Sequence, residues 1–161
     1  RGIDMKKVIV PVIIGLGLSS AAEAQRQRTP PAPCGPKADL AGELGNNVAA
    51  DSRCFEIRMY TVNREGEGTE GFDIDMLHQR FREEEIAIFE KHGAEFLGAF
   101  QSLENPDTLV WMLAYRDRAH RQEVWAGFLG DPAWTALLAK YNVPITIEAF
   151  TLSATDYSAL K

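Results

Sequence analysis

The amino-acid sequence predicts an α+β fold of the ferredoxin-like type, in which helices cover one face of a four-stranded antiparallel sheet. Three observations support this fold class. Apolar and polar residues alternate in the first predicted strand, apolar residues recur at helical spacing in the next segment, and turn residues separate the segments. The resulting order of strand, helix, strand, strand, helix, strand is that of the split βαβ arrangement.

Four segments are predicted to be strands. The first begins near Cys54 and extends to Val62, because Phe55, Ile57 and Met59 alternate there with more polar residues. The other strands are predicted over residues 95–103, 108–115 and 144–152, and an Asn-Pro-Asp turn at 105–107 separates the second strand from the third.

The helices are predicted from apolar spacing and from the residues that begin or end them. Asp73 can cap the start of the first helix, and Gly93 can end it. A second helix is predicted over residues 118–129. Asp131 followed by Pro132 predicts a further helical segment, because Asp is a favoured cap and Pro is a favoured first helical residue.

The N-terminal region has the three parts of a secretory signal peptide, which we assign to residues 5–24. Met5 is followed by two lysines, an apolar run of about 11 residues and the small-residue pattern Ala-Glu-Ala. A membrane anchor is the alternative, but a spanning helix needs roughly 20 apolar residues. We expect cleavage after Ala24, a periplasmic or secreted protein, and no stable membrane insertion after cleavage. Residues 1–4 are left out of the fold prediction.

Residues 25–52 are predicted to form a largely disordered linker, because they contain prolines and glycines and few large apolar side chains. The folded domain is predicted to occupy residues 53–155, followed by a C-terminal tail at 156–161. The two cysteines of the chain are Cys34 and Cys54, which could form a disulfide in an oxidising compartment. Two unpaired thiols are the alternative.

The charge of the chain argues against one class of partner. There are 17 Lys and Arg residues against 23 Asp and Glu residues, which gives a net charge of −6. An acidic surface repels a phosphate backbone, so we expect no nucleic-acid binding.

A metal site was considered on the first predicted helix. His78, Glu85 and His92 are spaced by seven residues, which separates neighbouring side chains by about 10.5 Å along a helix. That distance is too long for one ion, so we expect no metal ligands here. We also expect that the protein uses no cofactor. Glu85 lies near an apolar stripe and therefore needs a partner or takes a raised pKa.

The first and third strands suggest a ligand site. We expect Phe55, Ile57 and Met59 to pack under the helices, which would turn the intervening polar residues to the far face of the sheet. An arginine there could hold an anionic group, and aromatic rings could stack on a ligand. The candidate ligand-binding residues are Glu56, Arg58, Tyr60, Trp111, Tyr115 and Glu85. A structural ion pair between Glu56 and Arg58 is the alternative, and no catalytic residue is predicted.

Three features are similar to the NIPSNAP family, over about residues 54–152. They are Glu-x-Arg-x-Tyr at 56–60, the Lys-His-Gly helix end at 91–93 and the Asp-Pro-x-Trp turn at 131–134. The resemblance implies a dimeric α/β barrel, and therefore a homodimer, in a group that also includes cofactor-independent monooxygenases. It implies no settled activity, so the expected function is binding of a small, partly apolar or aromatic ligand. The alternatives are a cofactor-independent monooxygenase-like or isomerase-like enzyme and an interaction module without catalysis.

Overall fold

The computed structural model describes residues 45–49 and 51–161 of the 161-residue chain. Its elements follow one another in the predicted order. The strands are β1 (Cys54–Val62), β2 (Glu95–Gln101), β3 (Thr108–Tyr115) and β4 (Ile145–Ser153), and the helices are α1 (Ile74–Arg80), α2 (Ile86–Lys91), α3 (Arg118–Gly130) and α4 (Pro132–Lys140). A π-helical turn, Phe81–Glu85, joins α1 to α2.

Several predictions for the N-terminal region fall on residues outside this range. The predicted signal peptide, most of the predicted linker and Cys34 lie outside the described residues. Cys54 is fully buried and disulfide-bonded, but its pairing with Cys34 stays a prediction. Within the part of the chain that the structure describes, no helix is long and apolar enough to cross a membrane.

The four strands form one antiparallel sheet in the order β2-β3-β1-β4. In its interior, Arg58 of β1 lies opposite Trp111 of β3 and opposite Ala149 of β4. Residues directly opposite each other in such a sheet point to the same face, so these three side chains share one face. The element order and the strand order confirm the predicted ferredoxin-like fold class.

Two of the predicted helix starts are confirmed by their capping hydrogen bonds. The side chain of Asp73 accepts a hydrogen bond from the Met76 amide at 2.9 Å. The side chain of Asp131 accepts one from the Ala133 amide, also at 2.9 Å, and Pro132 is the first residue of α4. Both caps satisfy amide groups that have no partner inside the helix.

The predicted assignment of the two sheet faces is wrong. Tyr60 and Trp111 pack edge-to-face against Phe81 under the helices, with ring centroids 6.2 Å and 5.2 Å from its ring, and Glu56 is only 1% exposed. The helices therefore cover the set Glu56, Arg58 and Tyr60, together with Trp111, Leu113 and Tyr115, while Phe55, Ile57 and Met59 lie on the opposite face.

The physical reason for this reversal is that the polar residues of β1 are satisfied inside the protein. Arg58 donates a hydrogen bond to Glu56 and another to Tyr60, so burial of this set leaves its charges paired. The same face also carries the large rings of Tyr60 and Trp111, whose burial contributes more apolar area than the smaller side chains could.

The opposite face of the sheet is apolar and only partly covered. Phe55 is buried together with Ala154, which follows β4. Farther along this face, Phe100 is 55% exposed, Phe150 49% and Leu152 40%. A contiguous apolar surface of this kind is typical of a contact site for another protein.

The last residues of the predicted linker contact the residues just after β4. Val48 forms a β-bridge with Thr155, and the Ala49 amide donates a hydrogen bond to the Ala154 carbonyl at 2.9 Å. The chain therefore joins the sheet's edge before β1 begins.

The end of α2 is held against the start of α4 through the buried side chain of Asp131. Its carboxylate accepts hydrogen bonds from Lys91 Nζ at 2.7 Å and from His92 Nε2 at 2.8 Å. The bond from Lys91, together with those from the Ala133 amide and His92, holds the pKa of Asp131 well below its usual range. Gly127 of α3 leaves room for the His92 ring, since a Cβ there would lie 2.9 Å from Cγ and closer still to Nδ1.

Gly127→Ala is expected to destabilise the protein, because the new methyl group would push the His92 ring away from Asp131. Overpacking costs about 1–3 kcal/mol, whereas alanine gains only about 1 kcal/mol over glycine inside a helix. The free energy of unfolding is measured in urea for the wild type, Gly127→Ala, His92→Ala and the double variant that combines the two changes. In the His92→Ala background Gly127→Ala should become stabilising, and an equal loss in both backgrounds would contradict this interpretation.

Candidate functional site

A pocket of about 340 Å³ opens between the helices and the edge strand β4. The helices do not cover β4, which is exposed along nearly its whole length. The pocket lies in the gap that this leaves beside the strand. Pockets with apolar walls and a few polar groups are typical of small-molecule sites. The sheet contributes Arg58, Tyr60, Ile145 and Ile147, and the helices contribute Arg80, Glu85, Trp125, Phe128, Leu129, Trp134 and Leu138.

Glu56 lies behind the pocket wall and accepts hydrogen bonds from both the sheet and α3. Arg58 Nη1 donates to it at 2.8 Å, and Tyr115 Oη at 2.9 Å. Arg121 donates from Nε at 2.9 Å and from Nη2 at 2.7 Å. Trp125 Nε1 donates at 3.1 Å. The two carboxylate oxygens are thus saturated by the protein itself, which fixes α3 over the middle of β1.

The charge of Glu56 is stabilised by these donors. Burial alone would raise the pKa of Glu56, but the hydrogen bonds and positive charge of Arg121, with the bonds from Trp125 and Arg58, outweigh it and lower the pKa. Burial raises the pKa of Tyr115 far above its usual value, and the neighbouring Glu56 adds to the effect. Tyr115 therefore keeps its proton and acts as a donor to an ionised carboxylate.

Arg58 connects this cluster to the pocket. Its guanidinium carbon lies 4.5 Å from the centroid of the Trp125 ring, and its Nε donates to Tyr60 Oη at 3.0 Å. Burial raises the pKa of Tyr60 to about 12 although Arg58 acts in the opposite direction. Tyr60 is therefore a neutral phenol on the pocket wall, able to donate a hydrogen bond to a ligand.

A second ion pair, between Arg80 and Glu85, lines the pocket. Arg80 Nε donates to Glu85 Oε2 at 2.7 Å, and the two side chains are only 3% and 2% exposed. Burial raises the pKa of Glu85, and the charge and hydrogen bond of Arg80 only partly oppose it. The π-helical turn brings the two residues together, because it widens the step between facing residues from four to five positions.

The structure divides the six predicted ligand-binding residues into two groups. Trp111 is 1% exposed and packs under Tyr60, and its Nε1 has no hydrogen-bond partner among the described residues. Glu56, Tyr115 and Trp111 are thus buried behind the pocket, whereas Arg58, Tyr60 and Glu85 line it. The ion pair between Glu56 and Arg58, which was the structural alternative, is present at 2.8 Å.

Several residues of the site were not predicted, among them two tryptophans and two arginines. Trp125 falls in the predicted second helix and Trp134 in the Asp-Pro-x-Trp turn, but neither was predicted to line a site, although an indole N–H that needs a partner was a usable signal. Arg121 and Arg80 gave no signal in the sequence. Helical spacing pairs Arg80 with the residues three and four positions later, not with Glu85.

The three residues considered as metal ligands lie at separate places. His78 Nε2 is hydrogen-bonded to Gln101 Oε1 at 2.8 Å, His92 contacts Asp131, and Glu85 pairs with Arg80. Over residues 45–49 and 51–161, no three His, Cys, Asp or Glu side chains lie close enough together to hold a metal ion.

Solved structures of other proteins are similar to this chain. A NIPSNAP family protein with unknown function from Agrobacterium tumefaciens is 25% identical, with a TM-score of 0.60 over 71% of this chain and 99% of that chain. A second NIPSNAP family protein from the same organism is 25% identical, with a TM-score of 0.58 over 68% and 99%. SnoaB, a cofactor-independent oxygenase from Streptomyces nogalater, is 12% identical, with a TM-score of 0.47 over 64% and 93%.

The family is identified from the sequence match. Residues 55–159 match the NIPSNAP family, and no curated protein matches the chain. The match covers the whole sheet except Cys54 and all the helices described above. The chain belongs to the NIPSNAP family.

The pKa values of Glu85 and Glu83 are shifted in opposite directions, so the two residues should contribute to the stability of the protein with opposite pH dependences. The pKa of Glu85 is raised by burial from its usual 4.5, so its contribution to stability is full below that value and is lost as pH rises. Hydrogen bonds from Lys140 and Tyr141 lower the pKa of the exposed Glu83, so its contribution is lost as pH falls.

Urea unfolding at a series of pH values checks both pH dependences. Glu85→Gln is compared with the wild type from about pH 4.5 upward, and Glu83→Gln is compared with the wild type from about pH 4.5 downward. The stability of Glu85→Gln relative to the wild type should increase as pH rises. The stability of Glu83→Gln relative to the wild type should increase as pH falls. Parallel pH profiles for all three proteins would contradict the assigned environments.

Proposed function

We propose that the protein is exported, forms a homodimer and binds a small, partly apolar or aromatic ligand between its sheet and its helices. The observation that carries the proposal is the pocket beside β4, with aromatic walls and the polar groups of Arg58, Tyr60, Arg80 and Glu85 converging on it. Family membership leaves the activity unsettled, so the proposal concerns binding. The signal-like residues 5–24 support export.

The pocket is supported from behind by groups that already satisfy one another. Arg58 and Trp125 are oriented by their hydrogen bonds to Glu56, and Arg80 is oriented by Glu85. Side chains fixed in this way lose little conformational entropy when a ligand binds. The rigid aromatic walls favour a ligand with an apolar or aromatic body.

The homodimer is supported by the apolar face of the sheet. Phe100, Phe150 and Leu152 project from it and are 40–55% exposed. A second copy offers the same face in a symmetric contact, and two sheets packed face to face would remove these side chains from water.

Ile147→Trp is expected to abolish ligand binding, because an indole at this edge of the pocket would occupy the ligand's space. The mature chain is purified from the exported fraction, where we expect Gln25 at the N-terminus, and is screened by thermal shift against aromatic acids, quinones, fatty acids and haem. Any compound that raises the melting temperature of the wild type should have no effect on Ile147→Trp.

The matched control is Leu103→Trp, since Leu103 is 92% exposed in the β2–β3 loop and does not line the pocket. This variant should respond as the wild type does. The binding proposal fails if no compound shifts the wild type, and it fails at this pocket if Ile147→Trp still responds.

Phe150→Asp is expected to convert a dimer into a monomer, because a carboxylate in the apolar contact would lose its hydration without gaining a partner. The cost of such a buried charge is several kcal/mol per ion. Analytical ultracentrifugation of the wild type, Phe150→Asp and the surface control Leu103→Asp measures the result. A monomeric wild type, or dissociation by both variants alike, would show that this face does not form the dimer.

A further inference from the structure

We infer that the ligand is a planar monocarboxylic acid whose carboxylate is bound by Arg80. This inference rests on the proposed function, because it specifies the class of ligand for the same pocket. The inference goes beyond the proposed function because it assigns the ligand's anion to Arg80. The sequence analysis had considered only Arg58 for this role.

The first argument is the hydrogen bonding of Arg80. Its side chain is 3% exposed and lines the pocket, yet its Nε bond to Glu85 is its sole hydrogen bond to a described residue. The Nη1 and Nη2 atoms donate to no described group. The flat edge formed by these two atoms matches a carboxylate in a bidentate pair.

The other two arginines of the cluster are engaged by protein groups. Arg58 directs Nη1 to Glu56 and Nε to Tyr60. Arg121 directs both Nε and Nη2 to Glu56. Arg80 is therefore the guanidinium best able to accept a ligand anion.

The second argument is the balance of charge. The charged residues that line the pocket are Arg58, Arg80 and Glu85. Behind the wall, Glu56 pairs with both Arg58 and Arg121. Together these groups are three arginines and two glutamates. One positive charge is therefore uncompensated, in a chain whose net charge is −6. A single carboxylate would neutralise it, whereas a phosphate monoester carries about −1.5 to −2 at neutral pH and would exceed it.

The third argument is the shape of the walls next to Arg80. The Trp134 ring centroid lies 5.5 Å from the guanidinium carbon, and the Trp134 and Phe128 rings are 4.5 Å apart. Trp125 forms another wall, over Arg58. Flat aromatic walls next to the cation favour an acid whose apolar part is itself a flat ring.

The test compares acids with their uncharged counterparts. Benzoic, cinnamic and 2-naphthoic acids and the primary amide of each are titrated into the mature protein by calorimetry. We expect at least one acid to bind, and to bind about tenfold or more tighter than its amide, because a charged hydrogen bond is stronger than a neutral one. Arg80→Met should remove this difference, and Arg80→Lys should reduce it.

A further variant controls for indirect effects. Arg64→Met removes an arginine from a surface ion pair with Asp107, away from the pocket, and should leave acid binding unchanged. Because Arg80→Lys keeps a positive charge at the site, it tests the inference even if Arg80→Met fails to fold.

The outcomes separate the two claims. Equal binding of acid and amide by the wild type would overturn the carboxylate inference and leave the proposed binding function intact. Unchanged acid binding by Arg80→Met or by Arg80→Lys would overturn the role of Arg80. If no acid binds but a neutral compound from the thermal-shift screen does, only the inference fails; if nothing binds, both fail.

Discussion

The ionised carboxylate of Glu56, buried at the centre of the sheet, is the constraint on which the site depends. Removing such a charge from water costs several kcal/mol, and hydrogen bonds from β1, β3 and α3 offset that cost. The same bonds fix Arg58 and Trp125, which form part of the pocket wall. Without Glu56, Arg58 and Arg121 would repel each other, and α3 would lose the hydrogen bonds that Arg121 and Trp125 make to the sheet.

The inward-facing carboxylate of Glu56 also determines which side chains lie on each face of the sheet. Side chains alternate along a strand, so a register that turns Glu56 toward the helices must turn Phe55 and Ile57 away from them. The polar and aromatic residues then surround the pocket, and the apolar residues form the uncovered face. The candidate pocket and the proposed dimer contact are therefore two consequences of one register.

The sequence predicted what depends on local interactions. The strand and helix order and the caps at Asp73 and Asp131 follow from residues within a few positions of each other. The sheet faces were misassigned because the partners that satisfy Glu56, among them Tyr115 and Arg121, lie 59 and 65 positions away. The pairing of Arg80 with Glu85 was missed because a spacing of five follows only from a π-helical turn.

The sheet side and the helix side of the pocket differ in how much they contribute to the stability of the fold. On the sheet side, Arg58 is held in a hydrogen-bonded cluster. On the helix side, Leu129 and Leu138 contribute only apolar surface, and Leu129 is 61% exposed. Substitutions at such exposed positions usually change stability by less than about 0.5 kcal/mol. The shape of the pocket can thus diverge during evolution through the helices while the buried ionic cluster, and with it the fold, stays unchanged.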